Sequence, residues 1–69
     1  MKWIERERVR GKKRDEIRLG IASWDKGTGK DKSIKYTWFD KRNRAARGGE
    51  VPVTALRQMM EFARRHGYI

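Results

Sequence analysis

From Asp15 to Trp24 the chain alternates with a period of two. Ile17, Leu19 and Ile21 fall on one side, and Arg18, Gly20, Ala22 and Trp24 on the other. That spacing predicts a half-buried strand with an apolar face and a face mixing small residues, a cation and an indole. "SIKYTWFD" (33–40) is β-branched and aromatic and predicts a second strand, with Ile34, Tyr36 and Trp38 opposed to Lys35, Thr37 and Phe39. "KWIERERVR" (2–10) alternates less cleanly: Ile4, Arg6, Arg8 and Arg10 fall on one side, Trp3, Glu5, Glu7 and Val9 on the other, as in an edge or frayed strand. "EVPV" (50–53) is a short run whose Pro52 cannot donate to a ladder, which confines it to a sheet edge.

After Thr54 the period changes. Ala55, Leu56, Met59, Met60, Phe62 and Ala63 share an arc of about 160° on a helical projection, with Arg57, Gln58, Glu61, Arg64 and Arg65 around the remainder. Thr54 is the expected N-cap and Gly67 the expected C′ residue, after which Tyr68 and Ile69 fold back onto the sheet. Gly11 opens a basic turn at "GKKR" (11–14), and "DKGTGKDK" (25–32) is a polar hairpin connection. The fold class is therefore α+β: a four-stranded antiparallel sheet followed by one C-terminal helix, β-β-β-β-α, in a single domain over residues 1–69. The helix is expected to cover one sheet face, leaving the other without a layer.

Charge changes the picture from fold to partner. Nineteen Lys and Arg against nine Asp and Glu give +10 in 69 residues. Such a field attracts polyanions and opposes self-association until one is bound. Nucleic acid is the first candidate, ahead of membrane surfaces and acidic proteins. The chain has no cysteine, so neither disulfides nor thiolate zinc supplements a core that this length keeps small. No apolar run approaches a membrane span, and "MKWIERERVR" lacks the apolar centre of a signal peptide. A cytoplasmic location is expected, nucleoid-associated if the source is bacterial or phage.

Catalytic chemistry finds little support. "DKGTGKDKS" lacks the first glycine of a phosphate-binding loop, and no Ser or Thr follows its lysine. His66 lies within the apolar arc near the helix end, where packing or a dipole contact explains it better than general-base work. Asp25, Asp31, Asp40 and Glu50 show no metal-ligand spacing. No enzyme activity, cofactor or metal is expected.

Aromatic residues interleaved with cations suit unpaired bases, because rings stack on exposed base faces while Lys and Arg track phosphates. Tyr36, Trp38 and Phe62 are expected in the core. Trp24 and Phe39 share the parity of Arg18 and Lys35, on the face the helix does not cover. Gly20 and Ala22, on the same parity, leave room for a base or a partner backbone. "RGKKR" and "KRNRAAR" are then expected to form mobile basic arms at the rims, the second hinged at Gly48-Gly49. The expected nucleic-acid contacts are Trp24 and Phe39 by stacking, Arg18 and Lys35 on the sheet, and Lys12, Lys13, Arg14, Arg42, Arg44 and Arg47 at the rims.

The stretch "YTWFDKRNRAARGGEVPVTALRQMMEF" (36–62), with "EIRLGIASW" (16–24) as a looser match, resembles the positive-cofactor-four-like transcriptional coactivators and their bacterial and phage relatives. The likeness lies in an aromatic third strand, a basic linker, and a glycine-marked entry to a short strand that runs into the helix. Tyr36-Thr37 stands where the family favours an isoleucine-arginine pair, and Gly48-Gly49-Glu50 where it favours a lysine-glycine step. The resemblance implies a homodimer binding single-stranded DNA with little sequence preference, in transcription, replication or repair. Two other readings remain open at this point: a structured-RNA or duplex-DNA binder, and a basic adaptor docking on an acidic protein such as a polymerase subunit.

Overall fold

A computed structural model describes residues 2–45 and 49–69. Four strands, β1 (Lys2–Arg8), β2 (Glu16–Ile21), β3 (Lys32–Thr37) and β4 (Glu50–Pro52), form an antiparallel meander in the order β1-β2-β3-β4. A single 3₁₀ turn, Val53–Ala55, leads into helix α1 (Leu56–Arg65). The element order and α+β class match the sequence pattern. Among the described residues no helix is long and apolar enough to cross a membrane.

The cross-strand register sorts the side chains onto two unlike faces. On one, Ile17 pairs with Tyr36, and Leu19 with Ile34, which in turn pairs with Val51. On the other, Arg6, Arg18, Lys35 and Glu50 stand in one transverse row across all four strands. Strict alternation in β1 would place Trp3 with Glu5 and Glu7, but the register shifts between Trp3 and Glu5. This bulge makes Ile4 the extra residue and turns Trp3 onto the cationic face, opposite Gly20.

Gly20 is required for that approach. A Cβ built there would lie 2.4 Å from the Trp3 Cα and 2.6 Å from the Lys2 carbonyl oxygen. The absent side chain thus accommodates β1, and Ala22 is also buried. The expected notch for a base at Gly20 and Ala22 is filled within the chain itself.

The helix departs further from expectation. No residue of α1 is buried; Met60 is 54% and Phe62 56% exposed. The adjoining 3₁₀ turn lies against β3, and of the apolar residues in α1 only Leu56 and Ala63 are half-buried. Tyr68 and Ile69 are exposed and do not return to the sheet. The cause is local. Pro52 enters directly into the 3₁₀ turn, in which the Val53 carbonyl accepts the Leu56 N–H, so Thr54 makes no side-chain cap. The helix C-terminus follows the prediction: Gly67 has φ +81°, the Tyr68 N–H donates to the Ala63 carbonyl at 2.9 Å, and the Gly67 N–H donates to that of Arg64 at 3.1 Å.

Among the described residues the buried set is small: Gly20, Ala22, Ser33 and Thr37. No large apolar side chain is fully buried: Ile17 and Tyr36 on the sheet and Met59 and Phe62 on the helix are exposed, while Leu19, Ile34 and Val51 are half-buried. Tyr36, Trp38 and Phe62, expected in the core, are exposed.

Candidate nucleic-acid interface

The meander places the β1–β2 and β3–β4 connections at the same end of the sheet. They touch: Arg14 Nη1 donates to Asn43 Oδ1 at 2.8 Å. Lys12, Lys13 and Arg14 from one connection and Lys41, Arg42 and Arg44 from the other therefore gather at one pole, all exposed. The expected arms at two rims are a single basic end.

The second connection is also more ordered than a free arm as far as Ala45. Phe39 and Ala45 form an isolated antiparallel bridge, and between them the Asp40 N–H donates to the Arg44 carbonyl at 2.9 Å. Asp40 Oδ1 accepts from the backbone N–H groups of Arg42 and Arg44, both at 2.9 Å. Asn43 takes φ +61°, a left-handed conformation that asparagine tolerates well. One carboxylate thus fixes the backbone beneath Lys41, Arg42 and Arg44 while their charged heads stay in solvent. Arg44 Nε also contacts Asp40 Oδ2 at 3.3 Å, a surface pair of little energetic weight. Arg47 and Gly48, the expected phosphate contact and part of its hinge, lie outside the described residues.

On the sheet, Arg18 and Lys35 are direct cross-strand partners. Arg6, which alternation alone does not single out, continues their row onto β1. Like charges directly opposite one another destabilise a sheet, a cost that the Glu16 carboxylate, in contact with both Arg6 and Arg18, partly offsets. Trp3, likewise not singled out by alternation, lies beside this row. The Arg6 and Arg18 guanidinium carbons stand 5.2 Å and 5.6 Å from its ring centroid, within cation–π range, and the indole is 45% exposed. Only the bulge reveals it, because unbroken alternation points Trp3 to the opposite face.

Trp24 is not on the sheet. β2 ends at Ile21, and a turn closed by the Asp25 N–H donating to the Ala22 carbonyl at 3.0 Å carries the indole past the strand end, where it is exposed. Phe39 is half-buried at its bridge to Ala45. Trp38 is 45% exposed, with its ring centroid 6.4 Å from that of Tyr36. The Tyr36 hydroxyl donates to Asp15, which raises the tyrosine pKa above its ordinary value.

Two carboxylates organise the opposite end. Asp25 accepts from the Thr28 hydroxyl at 2.6 Å and from the Gly29, Gly27 and Asp31 N–H groups at 2.9, 3.0 and 3.3 Å. These bonds, the Thr28 hydroxyl foremost, lower its pKa from 3.8 to about 2. Its own loop thus saturates this carboxylate, in keeping with the hairpin reading of "DKGTGKDK". Glu50 Oε1 accepts from Ser33 Oγ at 2.8 Å and the Ser23 N–H at 3.0 Å, tying β4 to the β2–β3 turn. Desolvation pushes the Glu50 carboxyl up, but the bonds from Ser23 and Ser33 outweigh it and hold the pKa below the ordinary value.

His66 stacks near Phe62 at 4.5 Å between centroids, at the exposed helix end. Among the described residues no group of His, Asp and Glu has the proximity to hold a metal ion. Compared with protein-family models, curated proteins and solved structures, the chain matches none.

Proposed function

We propose that this chain binds single-stranded nucleic acid through its cationic sheet face and the adjoining basic pole, without a catalytic step. The observation that carries the reading is the transverse row of Arg6, Arg18 and Lys35, in direct register on three strands and flanked by an exposed indole. Glu16 offsets part of the repulsion in this row, a bound phosphate backbone offsets the remainder, and the neighbouring ring gives an unpaired base something to stack on. Lys12, Lys13, Arg14, Arg42 and Arg44 extend the phosphate track past the strand ends, and Trp24 and Phe39 remain further stacking candidates.

The chain acts as a homodimer in this reading. Ile17 and Tyr36 on the apolar sheet face and Met59 and Phe62 on the helix are exposed, and a second copy supplies cover for both. The resemblance to positive-cofactor-four-like coactivators agrees with such a dimer and with a role in transcription, replication or repair.

Tryptophan fluorescence titration tests the proposal. Saturable quenching by an unpaired oligonucleotide, with weaker binding of the matched duplex, is the expected result. Duplex or structured-RNA preference would replace the single-strand reading. A saturable response to neither would favour docking on an acidic protein.

A further inference from the structure

We infer that Glu16 occupies the place of a phosphate in the free chain, and that Trp3, Arg6 and Arg18 form a one-nucleotide subsite which opens when a strand displaces it. The inference rests on the proposed single-strand binding and adds a specific station to it.

Glu16 and Arg18 lie on one face of β2, and Arg18 Nε and Nη2 both reach Glu16 Oε1 at 3.0 Å. Glu16 Oε2 faces Arg6 Nη1 at 3.6 Å. One carboxylate therefore bridges the two guanidiniums that flank the Trp3 ring. The Glu16 and Arg18 side chains are only 16% and 19% exposed, so their pairing is less screened than a surface pair. Guanidinium presents the same fork of donors to carboxylate and phosphate oxygens, and what it gives Glu16 it gives equally to a nucleotide. The other carboxylate on this face, Glu50, is engaged by Ser23 and Ser33. Lys35 and Arg8, cross-strand neighbours of Arg18 and Glu16 respectively, leave the patch in cationic excess even with Glu16 present.

The displaced carboxylate has a new partner available. Thr37 stands directly cross-strand from Glu16, and its buried hydroxyl makes no hydrogen bond among the described residues. When Arg6 and Arg18 turn to the phosphate, that hydroxyl supplies a donor to Glu16. Trp3, whose ring lies within cation–π range of both guanidiniums, then stacks on the base attached to the same phosphate.

The test is Glu16→Gln, which keeps the shape and removes the charge, with Glu7→Gln as control. Glu7 is the same residue type on β1, but it pairs with Ile17 on the apolar face. Against a single-stranded oligothymidylate, E16Q is expected to bind about five-fold tighter than the original chain, the worth of one relieved ion pair. Its log-log salt slope should steepen by roughly 0.7, one phosphate. Equal gains from E7Q would reduce the effect to net charge and overturn the inference, as would no gain from E16Q. Should E16Q melt early, a Trp24→Phe/Trp38→Phe chain leaves Trp3 as sole reporter: quenching by the oligothymidylate supports the subsite, and unchanged emission during saturable binding removes it. Loss confined to these comparisons leaves the broader reading intact, whereas absence of any oligonucleotide binding by the original chain removes both.

Discussion

At the residue scale, small side chains and single carboxylates decide the geometry. Gly20 lets the bulged end of β1 lie against β2, and any Cβ there collides with backbone rather than with a side chain that could move aside. Gly20→Ala should cost about 1–3 kcal/mol in chemical denaturation and should shift Trp3 emission as β1 is pushed away. Asp25 gives a pH signature. Its pKa is lowered on folding, so its contribution is fully present above the unfolded value of 3.8 and is lost as pH falls through about 2. An NMR titration of the Gly29 amide should therefore show its midpoint near pH 2, and a midpoint at an ordinary carboxylate value would mean the loop is not clamped by Asp25. Glu50 acts in the same direction: its stabilising contribution is retained at neutral pH and lost on acidification. Glu50→Gln should cost about 1–2 kcal/mol through the Ser23 and Ser33 bonds.

At the scale of elements, most of the fold was legible in the sequence because period two and period 3.6 are set by neighbouring residues alone. The Ile17–Leu19–Ile21 and Ile34–Tyr36 alternations placed β2 and β3 on the right faces, and the Gly67 stop was read correctly. Failures came where longer-range contacts override the period. A bulge reassigns Trp3 because β1 must fit over Gly20, and a turn after Ala22 removes Trp24 from a strand its parity assigned it to. Asp40 converts a lysine- and arginine-rich run into a closed turn, which composition alone reads as a mobile arm. Packing of the helix was invisible for another reason: an amphipathic arc demands an apolar partner but does not name it. Arg42→Ala with Arg44→Ala should leave melting nearly unchanged, since both heads are exposed, and should flatten the log-log salt slope by about 1.4. A slope unchanged by the pair would exclude the basic pole from the phosphate track.

For the whole molecule, the absence of any fully buried large apolar side chain among the described residues is the controlling fact. A 69-residue chain with so little core gains most from association, and the proposed dimer would bury the helix groove lined by Met59, Phe62, Ala63 and Tyr68. Phe62→Asp should weaken self-association by about 2 kcal/mol or more, seen as a shift toward monomer in sedimentation equilibrium. Melting of the original chain should rise with protein concentration. Under the proposed function, the cationic sheet face binds and the apolar surfaces assemble, so Phe62→Asp should disturb assembly more than the intrinsic affinity of each cationic face. The most direct measurement is a salt series of tryptophan-quenching titrations with one oligonucleotide in unpaired and duplex form. If about six phosphates are neutralised, the unpaired strand should bind more tightly at every salt concentration with a log-log slope near −4. Equal or tighter duplex binding would contradict stacking on Trp3 and its neighbours.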